Sequence, residues 1–326
     1  MSQRTPLPRM TLAAVLGLAL ASAAQAAPHG VFWAQGRRPT RSASGGGLLY
    51  YGGPVISHAK VYAVFWGDNV DPETKAKIGP FFANMLDSGY MDWLKEYQTG
   101  ITAVDGRRGT GQTIGRGRFM GALTIHPKNA ATDLSDADIQ TELDGQIAAG
   151  KLPPSDGDTL YMVYFPSGVG VSVGGMASCS SFCAYHEGFK SARSGAPVYY
   201  GVMPVCGWGC GFGGSAFDSL SIVSSHEATE AVTDPFPTPG SSPAYPQAWN
   251  SSDGQEIGDL CADGSSTVTG RGLTSAVQWE WDNSIDACAK GPWTQSLTAA
   301  APRRLPLPVT FRLLDSLREP TLWRGR

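Results

Sequence analysis

Short apolar runs alternate with segments of helical period along this chain, which is typical of an α/β domain. Strands are predicted where apolar residues run on between polar or glycine-rich residues, at 61–66, 158–166 and 197–205. The glycine- and serine-rich segment between the last two is predicted to be a long loop. The segment 277–293 is predicted to contain a final strand that closes at its cysteine.

Three helices are predicted from their caps and apolar spacing. The first runs from 71 to about 97 and has Pro72 in its first turn, where the missing N–H costs no hydrogen bond. The second begins after Ser135 and ends near residue 150, with apolar side chains at four-residue spacing on one face. The third covers 215–236 and is stopped by an Asp-Pro pair. Ser215 or Asp218 can cap it.

The ends of the chain differ from this pattern. Residues 1–26 combine two arginines, an apolar run and Ala24-Gln25-Ala26, which predicts a secretory signal cut near Ala26. Residues 27–48 lack an apolar period and are predicted to be a flexible leader. The segment 294–326 has six arginines against two acids and is predicted to be a poorly ordered basic tail. One α/β domain is therefore expected over 49–293, with the mature protein secreted or periplasmic.

Net charge and hydropathy exclude two classes of partner. The formal charge is −3, from 25 basic and 28 acidic residues, and becomes −5 once Arg4 and Arg9 leave with the signal. So mildly acidic a chain is not expected to bind nucleic acid. No later segment approaches the roughly 20 apolar residues of a membrane span.

The six cysteines of an exported chain favour disulfides over a metal site. Their spacing does not select among the 15 possible connectivities. A zinc site made of cysteines is the alternative, because Cys-x3-Cys occurs twice and is a loose match to metal spacing. The cysteines are Cys179, Cys183, Cys206, Cys210, Cys261 and Cys288.

The third helix carries the candidate chemistry in "SSHEATEAVTDP", residues 224–235. His226 and Glu230 are four residues apart and share one side of the helix, as two metal ligands require. Glu227 stands where His-Glu-x-x-His metalloproteases have their general base. Downstream, Glu256 is the expected third ligand and Asp259 the expected partner of the free ring N–H of His226. The alternative to a metal site is that these residues form a solvated polar face of the helix.

A family resemblance arises at these residues. "YYGGPVISHAKVYAVFWGD", "CSSFCAYHEGF", "HEATEAVTDPF" and "QEIGDLC" resemble the phosphate-induced protein/Exordium family and its secreted bacterial relatives, over roughly residues 48–290. Many plant members lack the pair that matches His226-Glu227. Its presence here implies a single zincin-like domain with a mixed sheet, long glycine-rich loops and disulfides. His186 matches a histidine of the plant members and is a possible accessory residue or a buried structural one.

The sequence leaves three functions open. The first is a secreted metallopeptidase, in which Zn²⁺ is expected to activate a water molecule that attacks a protein or peptide substrate. The second is a non-catalytic Exordium-like module that binds cell-wall polysaccharide or a surface partner, with Ca²⁺ or no ion. The third is a serine hydrolase at Ser172, because "GVSVG" is a Gly-x-Ser-x-Gly match that lacks the helix expected after it.

Overall fold

The computed structural model describes residues 30–37, 46–206, 210–212, 214–237 and 242–295 of the chain. The predicted signal lies outside the described residues, as does the predicted basic tail from residue 296 onward. The described helices are α1 (Pro72–Met85), α2 (Gly89–Asp92), α3 (Asp136–Ala148) and α4 (Ala216–Thr233), with 3-10 helices at Trp93–Tyr97 and Asp259–Cys261.

The described strands form one large sheet and several small ones. They are β1 (Val31–Trp33), β2 (Leu49–Tyr50), β3 (Lys60–Trp66), β4 (Arg118–Ile125), β5 (Asp133–Ser135), β6 (Thr159–Tyr164), β7 (Gly170–Val173), β8 (Met176–Ala177), β9 (Phe182–Lys190), β10 (Pro197–Met203), β11 (Trp249–Asn250), β12 (Ser265–Gly270), β13 (Leu273–Gln278), β14 (Glu280–Asp282), β15 (Ala287–Ala289) and β16 (Trp293–Thr294).

The main sheet is mixed and has six strands in the order β1-β9-β10-β6-β3-β4. The strands β10, β6, β3 and β4 run parallel, whereas β9 is antiparallel to both of its neighbours. The three predicted strands are β3, β6 and β10, at the centre of this sheet. Their apolar runs are continuous because the sheet is covered on both faces.

Successive residues of the central strands face two separate cores. Ala63 and Phe65 of β3 join the core that includes α1 and α4, whereas Val64 and Trp66 join the core that includes α3. Helices on both faces of a largely parallel sheet give the predicted α/β class.

The predicted first helix is broken, because Ser88 offers the backbone other hydrogen bonds. Its Oγ donates to Met85 O at 2.8 Å and accepts from Tyr90 N at 3.2 Å. Serine hydroxyls compete with helical hydrogen bonds in this way. The segment 71–97 therefore contains α1, α2 and a 3-10 helix instead of one helix.

The prediction of a long loop between the second and third strands is wrong. That segment contains β7, β8 and the nine-residue β9, which lies inside the main sheet. Buried cysteine, alanine and histidine dilute the apolar signal of β9. The segment 277–293 likewise holds the hairpin β14–β15 after the end of β13.

The predicted leader and the predicted tail each include residues that form strands in the structure. Within the predicted flexible leader, Val31–Trp33 forms β1 and pairs with β9 at the edge of the main sheet. Thr294, the first residue of the predicted tail, belongs to β16.

The six cysteines form disulfides, as predicted. The pairs are Cys179–Cys206, Cys183–Cys210 and Cys261–Cys288. The first two connect the start of β9 to the segment that leads into α4. In the part of the chain that the structure describes, no helix has the length and apolar character of a membrane span.

Candidate metal centre

The helix α4 places polar side chains inside the protein. Every residue from Ser221 to Thr233 is buried, because α4 lies against β9 and β10 on one side and β13 on another. The side chains of His226, Glu227 and Glu230 are 0% exposed. The solvated helix face considered from the sequence is therefore excluded.

A second histidine reaches this cluster from β9. His186 Nδ1 lies 3.2 Å from Glu227 Oε2 and 3.7 Å from Glu230 Oε2. The other ring nitrogen, Nε2, lies 3.0 Å from the carbonyl oxygen of Asp234. A carbonyl only accepts, so Nε2 carries a proton. Nδ1 then either donates a second proton to Glu227 or, in the neutral ring, offers its lone pair to a cation held between it and the two carboxylates.

The outer oxygen of each of these carboxylates is held by a backbone N–H. Glu227 Oε1 accepts from Phe32 N at 3.1 Å, and Glu230 Oε1 accepts from Asp259 N at 3.1 Å. His186 Nδ1 and one oxygen from each glutamate can then lie within 4.8 Å of one another. Outer hydrogen bonds of this kind orient the ligands of a metal ion.

His226 is close to the same centre but has a different hydrogen-bond environment. Its Nε2 lies 3.0 Å from Glu230 Oε2, although the two atoms are not aligned for a hydrogen bond. Its Nδ1 lies 2.9 Å from Gln278 Nε2, which also donates to Gly258 O at 2.8 Å. An amide nitrogen is a donor, so Nδ1 accepts and the neutral ring carries its proton on Nε2.

Neighbouring charges act on both rings. Burial lowers the pKa of His226, but the Glu230 carboxylate outweighs it and the pKa rises to about 10. The donor at Gln278 opposes a second proton on Nδ1, and we therefore place the ring in its neutral form. For His186, burial again lowers the pKa, and Glu256 and Glu227 together raise it well above its usual range.

Most of the acids around the centre favour protonation. Burial raises the pKa of Glu227, which His186 partly opposes, and raises that of Asp234 to about 7. Burial also raises the pKa of Glu256 and Glu280 well above the ordinary range. Glu230 is the exception, because the Nε2–H of His226 beside it and the hydrogen bond from Asp259 N favour the carboxylate, outweigh burial and lower its pKa.

The cluster holds more acid than base. Its six carboxyl groups face only two imidazoles, so negative charge remains unless protons or a cation balance it. Buried oxygens without a hydrogen bond include Glu230 Oε2, both oxygens of Glu256 and Glu280 Oε2. Such atoms point to a missing partner. The carboxyl groups are those of Glu227, Glu230, Asp234, Glu256, Asp259 and Glu280.

The structure separates the two downstream acids. Glu256 Oε1 lies 3.5 Å from His186 Nε2, on the ring edge that faces away from the two glutamates of α4. Asp259 belongs to a second possible ligand group with His226 and Glu230. The nitrogen of His226 that Asp259 was expected to hold lies beside Gln278.

Three contributors to the centre were missed from the sequence. Gln278 fixes the His226 ring, Phe32 binds Glu227 through its backbone, and Gly258 leaves room for the His226 ring and the Gln278 amide. A Cβ at Gly258 would stand 2.3 Å from His226 Nδ1. The glycine between Glu256 and Asp259 was a visible signal, whereas Phe32 and Gln278 come from distant strands that no local pattern connects.

A small cavity reaches the cluster from the surface. It has a volume of about 180 Å³ beside β1 and is lined by residues that include Phe32, Phe212, His226 and Asp259. The cavity gives His226 and Asp259 a route toward solvent.

Ser172 lies elsewhere, on β7. Its Oγ donates to Leu134 O at 3.3 Å, and a turn and β8 follow instead of a helix. The strand-to-helix turn of a nucleophile elbow is therefore missing at this serine.

Comparison with protein families, curated proteins and solved structures gives no match for this chain.

Proposed function

We propose that the protein is an exported, metal-dependent peptidase whose ion is held by His186, Glu227 and Glu230. One observation carries this proposal. Three buried ligand atoms converge, and the second polar atom of each ligand is bonded to a backbone group, at Asp234 O, Phe32 N and Asp259 N. A site organised in this way for a cation also accounts for the excess of acid around it.

The donor set fits Zn²⁺ best among the common ions. One imidazole and two carboxylates suit zinc in a site that keeps an open position, whereas Ca²⁺ takes oxygen ligands. Two carboxylates also make the site harder than a zinc site with two histidines, and so less selective for zinc. When bound, such an ion polarises a carbonyl group and lowers the pKa of water.

The proposed roles of the α4 residues differ from those expected from the sequence. His226 presents the N–H of Nε2 next to Glu230 and borders the cavity, so it is placed to donate a hydrogen bond to a substrate there. Glu227, expected as the general base, has its oxygens engaged by His186 and Phe32 and is better placed as a ligand. Glu230 keeps its expected role.

The peptide substrate and the compartment rest on two supports. The His-Glu-x-x-Glu helix and its downstream acids resemble the gluzincin arrangement, and a helix of this kind beside a mixed sheet suits a zincin-like domain. Three disulfides favour an oxidising compartment outside the cytosol.

A second function is favoured by the complete burial of the three ligands. A non-catalytic Exordium-like module would need the ion only for stability, and a closed site is typical of structural ions. The two functions share the ion and differ in the role of His226.

The test uses the purified full chain and three histidine variants. We expect His186→Ala to lose the bound metal and His226→Ala to keep it while losing chelator-sensitive cleavage of an unstructured protein. His126→Ala is the matched control, because that side chain is 74% exposed, and it should behave as wild type. Metal in the wild type and in His226→Ala, with cleavage by neither, supports the non-catalytic module. Metal retained by His186→Ala, or no metal in the wild type, refutes the proposal.

A further inference from the structure

The edge strand β1 lies directly over the candidate metal centre. Phe32 N donates to Glu227 Oε1 at 3.1 Å, and Gly30 O accepts from His186 N at 2.9 Å. The backbone of β1 therefore bonds to two of the three proposed ligand residues.

The side chain of Phe32 closes the centre on the cavity side. Its ring packs edge-on against the His226 ring, with centroids 4.7 Å apart, and against Phe212 at 5.0 Å. The Phe32 residue is only 2% exposed. The Phe32 ring thus narrows the approach from the cavity to His226.

The strand β1 is more weakly anchored than the rest of the main sheet. It has three residues and one neighbour, with an irregular register between Phe32 and Trp33, whereas β3 and β10 have seven residues and two neighbours each. Beyond it, Ala34 N donates to Ser181 O and Gln35 Nε2 to Gly211 O. Short edge strands open more readily than central ones.

We propose that β1 occupies the place of the substrate: an extended peptide segment with an aromatic residue, which pairs antiparallel to β9 and puts that residue between Phe212 and His226. The chain thereby holds its own site closed until β1 leaves. This inference rests on the proposed peptidase function.

Pairing along β9 accounts for the class of substrate. A peptide added to a sheet edge gains affinity from main-chain hydrogen bonds and specificity from pockets for alternate side chains. Adjacent residues of β1 face opposite sides of the sheet: Phe32 faces the centre, and Val31 packs into the opposite core. A substrate that replaces β1 would present its backbone to His186 N and an aromatic ring to His226.

Two full-chain variants are designed to expel β1. Phe32→Ala removes the ring that covers His226. Gly30→Ala puts a Cβ 2.8 Å from His186 Cε1, at a residue whose φ is +67°. Gly36→Ala is the matched control, since φ there is +73° and nothing lies within 4 Å of the added carbon.

The measurements are hydrogen exchange of the β1 amides and the rate at which a chelator removes Zn²⁺. We expect both rates to rise at least about tenfold in Phe32→Ala and Gly30→Ala, with more cleavage of an unstructured protein, and wild-type rates in Gly36→Ala. Circular dichroism identifies a variant that fails to fold. Unchanged exchange in the two expelling variants, or an equal rise in Gly36→Ala, would overturn the inference.

A peptide supplied in trans tests the same idea without any catalytic readout. The synthetic peptide GVFWAQG, which copies residues 30–36, should bind the Gly30→Ala protein, and the same peptide with alanine for phenylalanine should bind at least about tenfold more weakly. Equal binding of the two peptides, or none by either, would contradict the inference. Peptide binding by a protein that holds no metal would refute the peptidase, and with it the role of β1 as a substrate mimic, and would leave only a peptide-binding edge at β9.

Discussion

The helices α3 and α4 begin in the same way and end in different environments. Each has a serine cap whose side-chain oxygen accepts a hydrogen bond from the backbone N–H of the third helical residue. That residue is an aspartate, whose carboxylate accepts from the backbone N–H of the serine. The pairs are Ser135 with Asp138 and Ser215 with Asp218. Beyond the cap, α3 keeps a solvent-facing side, whereas α4 is buried from Ser221 to its end. Similar local signals therefore do not determine what a helix does.

The difference lies in how each helix balances its buried polar groups. In α3, Glu142 is 8% exposed and accepts hydrogen bonds from Lys128 N and Gln146. In α4, Glu230 is 0% exposed and its Oε2 has no hydrogen bond. Burying such an atom is costly unless a partner is supplied. The candidate site therefore lies on the helix whose buried polar atoms lack hydrogen bonds, and the caps, which are alike, do not distinguish the two helices.

The largest expected effect comes from removing the charge of that glutamate. Glu230→Gln keeps the shape and the acceptor for Asp259 N but replaces a proposed ligand, so we expect affinity for Zn²⁺ to fall by at least about 100-fold. Glu142→Gln makes the same change in α3 and should leave zinc affinity unaltered. Titration calorimetry measures both, and equal affinities in the two variants would remove Glu230 from the site.

A glycine-to-alanine change next to α4 and one within α3 should change the free energy of unfolding in opposite directions. Gly258→Ala places a Cβ 2.3 Å from His226 Nδ1 and 3.0 Å from Gln278 Nε2, which should cost about 1–3 kcal/mol of unfolding free energy. Gly145→Ala, inside α3, meets nothing within 4 Å and should stabilise by about 0.5–1 kcal/mol. Denaturant unfolding checks the signs. Stabilisation by Gly258→Ala would mean that the packing around His226 is looser than described.

The smallest expected difference is between the two caps. Ser215→Ala and Ser135→Ala each remove one side-chain acceptor from an exposed helix start, at a cost of about 0.5–2 kcal/mol. The two losses should agree within about 0.5 kcal/mol. A much larger loss of unfolding free energy for Ser215→Ala would show that the start of α4 is coupled to the buried cluster. The two helices would then differ already in their first turns.

Local signals account well for the elements that were predicted. Apolar runs located β3, β6 and β10, and the caps located α3 and α4, because these features depend on neighbours in sequence. The strand β9 was missed because its buried residues include Cys183 and His186, which do not read as an apolar run. The break before α2 depends on Ser88, a residue equally compatible with a helix interior.

The candidate site was only half visible in the sequence. Glu230 lies four residues after His226 and three after Glu227, so its proximity to each follows from helical spacing. The packing of β9 against α4 brings His186 to the two glutamates. The same packing leaves Glu256 on the other side of the His186 ring. No spacing rule connects residues some 40 positions apart on different elements.

The sequence by itself determined the α/β class, the central strands, the capped helices and a helix face with one imidazole and two acids. The tertiary structure decided the disulfide pairs, the second histidine, the burial of the cluster and the strand that covers it. The physical reason is the sequence separation over which each interaction acts. Hydrogen bonds within a helix and apolar alternation within a strand are set by near neighbours, whereas burial and the balance of charge depend on which distant segments the fold brings together.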